Sequence, residues 1–143
     1  MTSVAHLLHA KGHAVWSIPP DASVYEAIKL MAAKEVGALL VIDGQRLVGI
    51  VSKRDYARKV ILQGKSSRDI PVREIMTAKV FYVRPEQTVE DCMALMTAHR
   101  IRHLPVLDDK LVRGVVSIGD LVQAVISEQE VRIQQLEQYI MGR

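Results

Sequence analysis

Ser52 and Asp55 close the stretch GIVSKRD at residues 49–55, and Ser117 and Asp120 close GVVSIGD at residues 114–120. Each stretch reads as an apolar strand running into a helix, so the serine stands where the first helical N–H groups lack partners. Its hydroxyl can cap the helix or share those donors with a phosphate oxygen. The aspartate, one helical turn on, can accept hydrogen bonds from two adjacent hydroxyls such as a ribose diol. A nucleotide suits such a pair of sites. The same Ser-x-x-Asp is also a capping box, worth about 1 kcal/mol to a helix with no ligand at all. Its recurrence after the same strand gives the binding reading its weight, and the spacing alone leaves both open.

The two junctions differ in charge. Lys53, Arg54, Arg58 and Lys59 crowd the first, which fits a phosphate group or a solvated face. In the second, Ile118 and Gly119 replace Lys53 and Arg54, so an anion there needs other donors. Arg102 and His103, just before LPV, are the candidates, and Gly37 and Ala38 stand at their places in the first copy. If both junctions bind, they should bind unequally.

The elements that must position these residues are written twice. A shift of 65 residues lays 15–55 on 80–120 without a gap, pairing Val15 with Val80, Pro20 with Pro85, Asp43 with Asp108, Gly49 with Gly114 and both Ser and Asp with themselves. Two copies are too few for an open solenoid, so a face-to-face pair burying one apolar surface is expected. Each copy reads strand, helix, strand, strand, helix. AVWSI stops at Pro19-Pro20, Ser23 can cap a helix carrying Ala27, Leu30 and Met31, and GALLVI and RLVGIV flank the turn Asp43-Gly44. After Ser52 a helix should carry Tyr56, Val60 and Ile61 on one face. The second copy repeats this as VFYV, a helix from Thr88, HLPVLD, LVRGVVS and a helix from Gly119 or Asp120. Strands this continuously apolar need helical cover, which gives an α+β layered fold.

The expected domains are a first repeat over 10–65, a connector with a short helix over 66–77, a second repeat over 78–128 and a helical extension over 129–143. In the last helix Val122, Ile126, Gln129, Ile133, Leu136 and Ile140 recur at alternating spacings of four and three, a packing seam. It can serve a homodimer or dock within the chain.

Composition removes several classes. With 143 residues, 49% apolar and 24% charged, the chain fits one compact unit or two small fused halves. No apolar run nears the roughly 20 residues of a membrane span, and MTSVAHLLHAKGH lacks a secretory core, so a cytoplasmic protein is expected. The single Cys92 excludes an internal disulfide and sits among core-facing helix residues. His99 and His103, or His6, His9 and His13, have helical spacing but no further converging ligand, and no Ser-His-Asp or Cys-His set can be assigned. Neither a metal nor catalysis is expected. The net charge of +3 gathers in a basic stretch from Lys53 to Arg73, but aromatics are only 4%. Trp16 and Phe81 fall at matched strand positions assigned to the core, which argues against a nucleic-acid platform.

Two Gly-h-h-Ser-x-x-Asp junctions, VREIMT before the second copy and HLPVLDD inside it, together resemble the tandem CBS-domain pair (cystathionine-β-synthase-type domains, or Bateman module) over about residues 10–128. The resemblance implies two stacked β-α-β-β-α repeats with approximate two-fold symmetry and clefts that bind AMP, ADP, ATP, NAD(H) or S-adenosylmethionine. It implies homodimers, and a non-catalytic sensor of adenine nucleotides, AMP foremost, that acts on a regulated enzyme or transporter. Asp55 and Asp120 take the ribose, and Ser52 and Ser117 the phosphate side. Val15 and Leu39 or Leu40 line the adenine in the first copy. Thr77, Lys79, Val80, Tyr82, His103, Leu104 and Pro105 line it in the second, and Arg54 resembles a residue directed at phosphate. The first copy begins LLHAKGHAVWSI and lacks the opening that Ile75, Met76 and Thr77 give the second, so the first cleft is the one expected to have a gap in its wall. A structural or protein-interaction module with empty clefts is the alternative.

Overall fold

The structure, a computed structural model, describes residues 2–142. The elements in chain order are α1 (Val4–Lys11), β1 (Ser17–Ile18), α2 (Val24–Lys34), β2 (Ala38–Asp43), β3 (Arg46–Ser52), α3 (Lys53–Tyr56), a π-helical turn (Ala57–Ile61), a 3-10 turn (Val72–Glu74), α4 (Val89–His99), β4 (His103–Asp108), β5 (Leu111–Ser117) and α5 (Ile118–Ile140). They form two compact units. One is the uninterrupted run Ala14–Phe81, and the other joins 2–13 to 82–142 among the described residues.

Within the first-repeat unit, β1 lies parallel to β2 and β2 antiparallel to β3. Val24, Ala27 and Met31 of α2 pack on Leu39, Val41 and Val51 of the sheet, joined by Val60, Val72 and Ile75. Ser23 caps α2 by accepting the Glu26 N–H. The second-repeat unit repeats the hairpin as β4 and β5, with Val83 bridging Val106 in parallel where β1 meets β2. Both hairpins carry a bulge at the matched place, after Val41 and after Val106. Thr88 and Asp91 form a capping box on α4.

Each glycine at the bulge makes room for an apolar side chain from outside the repeat. A Cβ on Gly49 would lie 2.6 Å from Met76 Sδ, and one on Gly114 would lie 2.8 Å from Leu8 Cδ2. Those two segments prove equivalent. Val72 donates to Ala22 O at 2.8 Å and Arg73 to Pro20 O at 3.0 Å, while Val4 donates to Gln87 O at 2.7 Å and Ala5 to Pro85 O at 2.9 Å. Val24 donates to Ile70 O and Val89 to Thr2 O, both at 2.9 Å. VREIM at 72–76 and VAHLL at 4–8 thus dock identically, with Val72, Ile75, Val4, Leu7 and Leu8 buried. The segment expected to open the second repeat completes the first, and the N-terminal helix completes the second.

Two other expectations differ. Trp16 is 39% exposed, with the Lys34 ammonium 4.4 Å over its ring, and Phe81 is only half-buried. β1 proper begins at Ser17, and Trp16 joins the sheet only through its carbonyl, which accepts the Leu40 N–H at 3.2 Å, while its ring lies under Lys34 rather than in the core. Ile61 is exposed although Val60 is buried, because the helix after Ser52 widens into the π-helical turn closed by Leu62 N–H to Ala57 O. Cys92 is fully buried as expected. Burial, then the Asp91 carboxylate, pushes its thiol up to about 11, which leaves it an inert core group.

Candidate functional site

Both strand-to-helix junctions are complete capping boxes. Ser52 Oγ accepts from Asp55 N–H at 3.3 Å, and Asp55 Oδ2 accepts from Ser52 N–H at 2.9 Å and from Ser52 Oγ at 3.1 Å. Ser117 and Asp120 repeat this at 3.2 and 2.8 Å. The helix that follows is tied to the residue that leads into the first strand of its hairpin, β2 or β4. Lys53 N–H donates to Gly37 O at 3.1 Å and Ile118 N–H to Arg102 O at 2.9 Å.

A lysine stands on each acid. Lys59 Nζ is 3.3 Å from Asp55 Oδ1 and donates to Ile75 O at 2.8 Å. Lys11 Nζ meets Asp120 Oδ2 and donates to Val115 O, both at 2.5 Å. The equivalence of Val115 with Ile50 shows what Lys11 replaces. In the first-repeat unit, Thr77 exchanges backbone hydrogen bonds with Ile50 at 2.8 and 3.0 Å. In the second, α1 runs on to Lys11 and its ammonium reaches the matching carbonyl. Lys11 is the residue of this candidate site that the sequence does not point to, because nothing near it in sequence forms a motif. It supplies the cation that Ile118 and Gly119 do not.

The remaining candidates separate by unit. Thr77, Lys79 and Val80 lie in the first-repeat unit with Val15, Ser52 and Asp55, while Tyr82 begins the second-repeat segment. The wall expected to be missing from the first repeat is therefore the Thr77 segment. Leu39 belongs to the core, and Leu40, paired with Ile50, is buried on the opposite sheet face. Lys53, Arg54 and Arg58 are exposed, as are Arg102, Ile118 and Gly119. Leu104 and Pro105 are buried, and half-buried His103 pairs in register with Ser117. A groove of about 690 Å³ between α1 and α5 includes Lys11 and Asp120 in its lining. Among the described residues no three His, Cys, Asp or Glu side chains converge as a metal site, and no helix is long and apolar enough to cross a membrane.

Electrostatics distinguish the second junction. Burial alone would raise the Asp120 carboxyl, but Lys11 and the Ser117 donors more than offset it and hold the group below its ordinary 3.8. Burial lowers the His103 imidazole from 6.5, and Lys11 lowers it further. The unfolded chain then takes up the His103 proton at higher pH than the folded one, so stability falls as pH drops through 6.5 toward the folded value. His103→Gln should flatten that part of the pH profile in urea unfolding between pH 7.5 and 5.5. An unchanged slope would show that His103 does not titrate as its surroundings require. Asp120 acts in a separate window, its contribution lost as pH falls below 3.8 through its depressed value.

The family model for the CBS domain matches twice, over residues 12–61 and 72–127. This chain belongs to the CBS-domain family. CBS-domain proteins are generally non-catalytic regulatory modules that sense nucleotides. The chain is 43% identical to CBS domain-containing protein CBSX3, mitochondrial, of Arabidopsis thaliana, over 99% of its own length and 73% of that protein. Its CBS fold superposes on a protein with CBS domains from Burkholderia ambifaria MC40-6 with a TM-score of 0.87 at 56% identity, covering 90% of this chain and 96% of the other. It also resembles the CBS domain pair of protein MJ0100, solved in complex with 5-methylthioadenosine and S-adenosyl-L-methionine. That match has a TM-score of 0.79 at 26% identity, over 90% of this chain and 98% of that one.

Proposed function

We propose that each CBS junction holds an adenine nucleotide, AMP foremost and ATP, ADP or NAD(H) as alternatives, and that the chain works as a homodimer acting on a regulated partner. The observation that carries this reading is the duplicated carboxylate, fixed by its capping serine and paired with one lysine. Asp55 and Asp120 take the ribose hydroxyls. Each carboxylate is already held on Oδ2 by its capping box, so the ribose meets the remaining acceptor capacity. At Asp55 that capacity is shared with Lys59 on Oδ1, whereas at Asp120 Lys11 shares Oδ2 with the capping box and Oδ1 is left for the ribose. The lysine ammonium stays beside the ligand as a phosphate counter-charge. Adenosine compounds on the MJ0100 pair support the ligand class.

Arg54, Lys53 and Arg58 give the first junction a cationic rim for a polyphosphate. Arg54→Ala should therefore weaken ATP several-fold while leaving adenosine nearly unchanged, as Arg-to-phosphate pairing requires. Isothermal titration with AMP, ATP, NADH and adenosine tests both statements, and equal losses for ATP and adenosine would remove the phosphate role. One observation favours a second reading, a protein-interaction module without nucleotide. Both capping boxes are satisfied entirely by the Ser and Asp groups of the chain itself. Absence of heat with all four compounds would select it.

A further inference from the structure

The C-terminal half of α5 has no cover. Every residue from 129 to 142 is exposed, and among the seam residues Ile126 is 46%, Ile133 53%, Leu136 60% and Ile140 78% exposed. A free helix of this length is marginal in water. The face carrying Ala124, Ser127 and Val131 lines the groove against α1, with Arg132 also in the lining, so the a and d positions point away from that groove and Arg132 stands between the groove and the seam.

The seam is a heptad pattern with chemistry at each position. Ile126, Ile133 and Ile140 share position a, and Val122, Gln129 and Leu136 share position d. Isoleucine at every a position, with Leu136 and Val122 at d, is a pattern that parallel two-stranded pairs use, and the polar Gln129 at the remaining d position restricts the registers that bury it well. The flanking charges agree with that choice. Glu130 and Glu137 fall at e, and Arg132 falls at g. In a parallel pair, g of one helix faces the following e of the other, which sets Arg132 against Glu137 of the partner subunit. An antiparallel pair would set g against g and e against e, placing like charges together.

We infer that α5 joins two copies of this chain through a short parallel two-stranded coiled coil, with Ile126, Ile133, Leu136 and Ile140 in the seam and Arg132 paired across it with Glu137. This rests on the homodimer proposed above and adds its surface, orientation and register. The pair spans fewer than three heptads and so should dissociate on dilution. Within its own helix Arg132 lies 4.0 Å from the half-buried Glu128, a long contact that a closer carboxylate from the partner can replace.

Sedimentation of the full chain over a wide concentration range, with Ile133→Asp and Gln129→Cys variants, tests it. Ile133 is exposed, so its substitution leaves the folded units intact, which circular dichroism verifies. Cys92 is fully buried, so Cys at 129 is the accessible thiol. Expected results are a reversible dimer, a monomer for Ile133→Asp, and rapid disulfide-linked dimer for Gln129→Cys, since only a parallel in-register seam apposes the same d position. Arg132→Glu should weaken the dimer about tenfold, and Arg132→Glu with Glu137→Arg should restore it. A dimer that survives Ile133→Asp, or one that does not cross-link at 129, overturns the seam while leaving a homodimer. A monomer at every concentration overturns both. The calorimetric test of nucleotide binding is unaffected by either outcome.

Discussion

Asp120→Ala should bind AMP at the second junction roughly 10- to 100-fold more weakly than the native chain, and Asp55→Ala should do the same at the first. Losing a charge-assisted bond to a ribose hydroxyl is worth about 1.5–3 kcal/mol, and each 1.4 kcal/mol is tenfold. The same substitutions remove half of a capping box, so a fall in stability alone would prove nothing. The fold contains its own control. Asp91 makes the same box with Thr88 at the start of α4, with Thr88 N–H to Asp91 Oδ2 at 3.0 Å and Asp91 N–H to Thr88 Oγ1 at 3.2 Å. Asp91→Ala should lower the melting temperature about as much as Asp55→Ala and leave calorimetric affinity untouched. If all three variants lose stability and none loses affinity, the duplicated acids are helix caps and nothing more. Asp120→Ala should also free Lys11, and Lys11→Met should let the Asp120 carboxyl rise toward its ordinary value.

Gly49→Ala should destabilise the chain by about 1–3 kcal/mol, the range for forcing extra volume into a packed site, and by more than Gly114→Ala. At Gly49 the added carbon meets Met76 Sδ at 2.6 Å and also the Thr77 carbonyl oxygen at 3.0 Å. That oxygen accepts the Ile50 N–H, so moving it breaks the backbone pair that holds the Thr77 segment on β3. At Gly114 the added carbon meets only the far end of Leu8, at 2.8 and 3.1 Å, and a leucine terminus can rotate. Met76→Ala should rescue part of the Gly49→Ala loss, because the carbonyl contact remains. Leu8→Ala should rescue most of the Gly114→Ala loss once its own cavity cost is subtracted by a double-mutant cycle. Urea midpoints for the native chain, the four single variants and the two double variants decide it. Equal losses at the two glycines, or full rescue by Met76→Ala, would contradict the backbone assignment.

Much of this was legible in the chain itself. The repeat at 65 residues preserved both junctions, both hairpins, their bulges and the caps of α2 and α4, because each sits where only a few residue types satisfy the backbone. VAHLL escaped notice because it follows a different offset. It stands 68 residues before VREIM, shares only Val4 with Val72 in identity, and continues as an eight-residue helix where the other makes a single 3-10 turn. Burial and hydrogen bonding make the two alike; spelling does not. Lys11 was invisible for a related reason, since its partners Asp120 and Val115 lie more than a hundred residues away. The apolar run AVWSI does not reveal that the strand proper is only Ser17 and Ile18, with Trp16 held to β2 by its carbonyl alone and its ring half out in solvent.

The docking of α1 on the second repeat also orders events on the ribosome. Residues 14–81 can complete their unit as soon as they emerge. Val4, Leu7 and Leu8 appear first yet must wait, on the order of several seconds at ordinary elongation rates, for Pro85, Gln87 and Gly114 to arrive. During that interval the apolar face of α1 stays uncovered, so removing Val4, Leu7 and Leu8 would injure the repeat that is synthesised after the other.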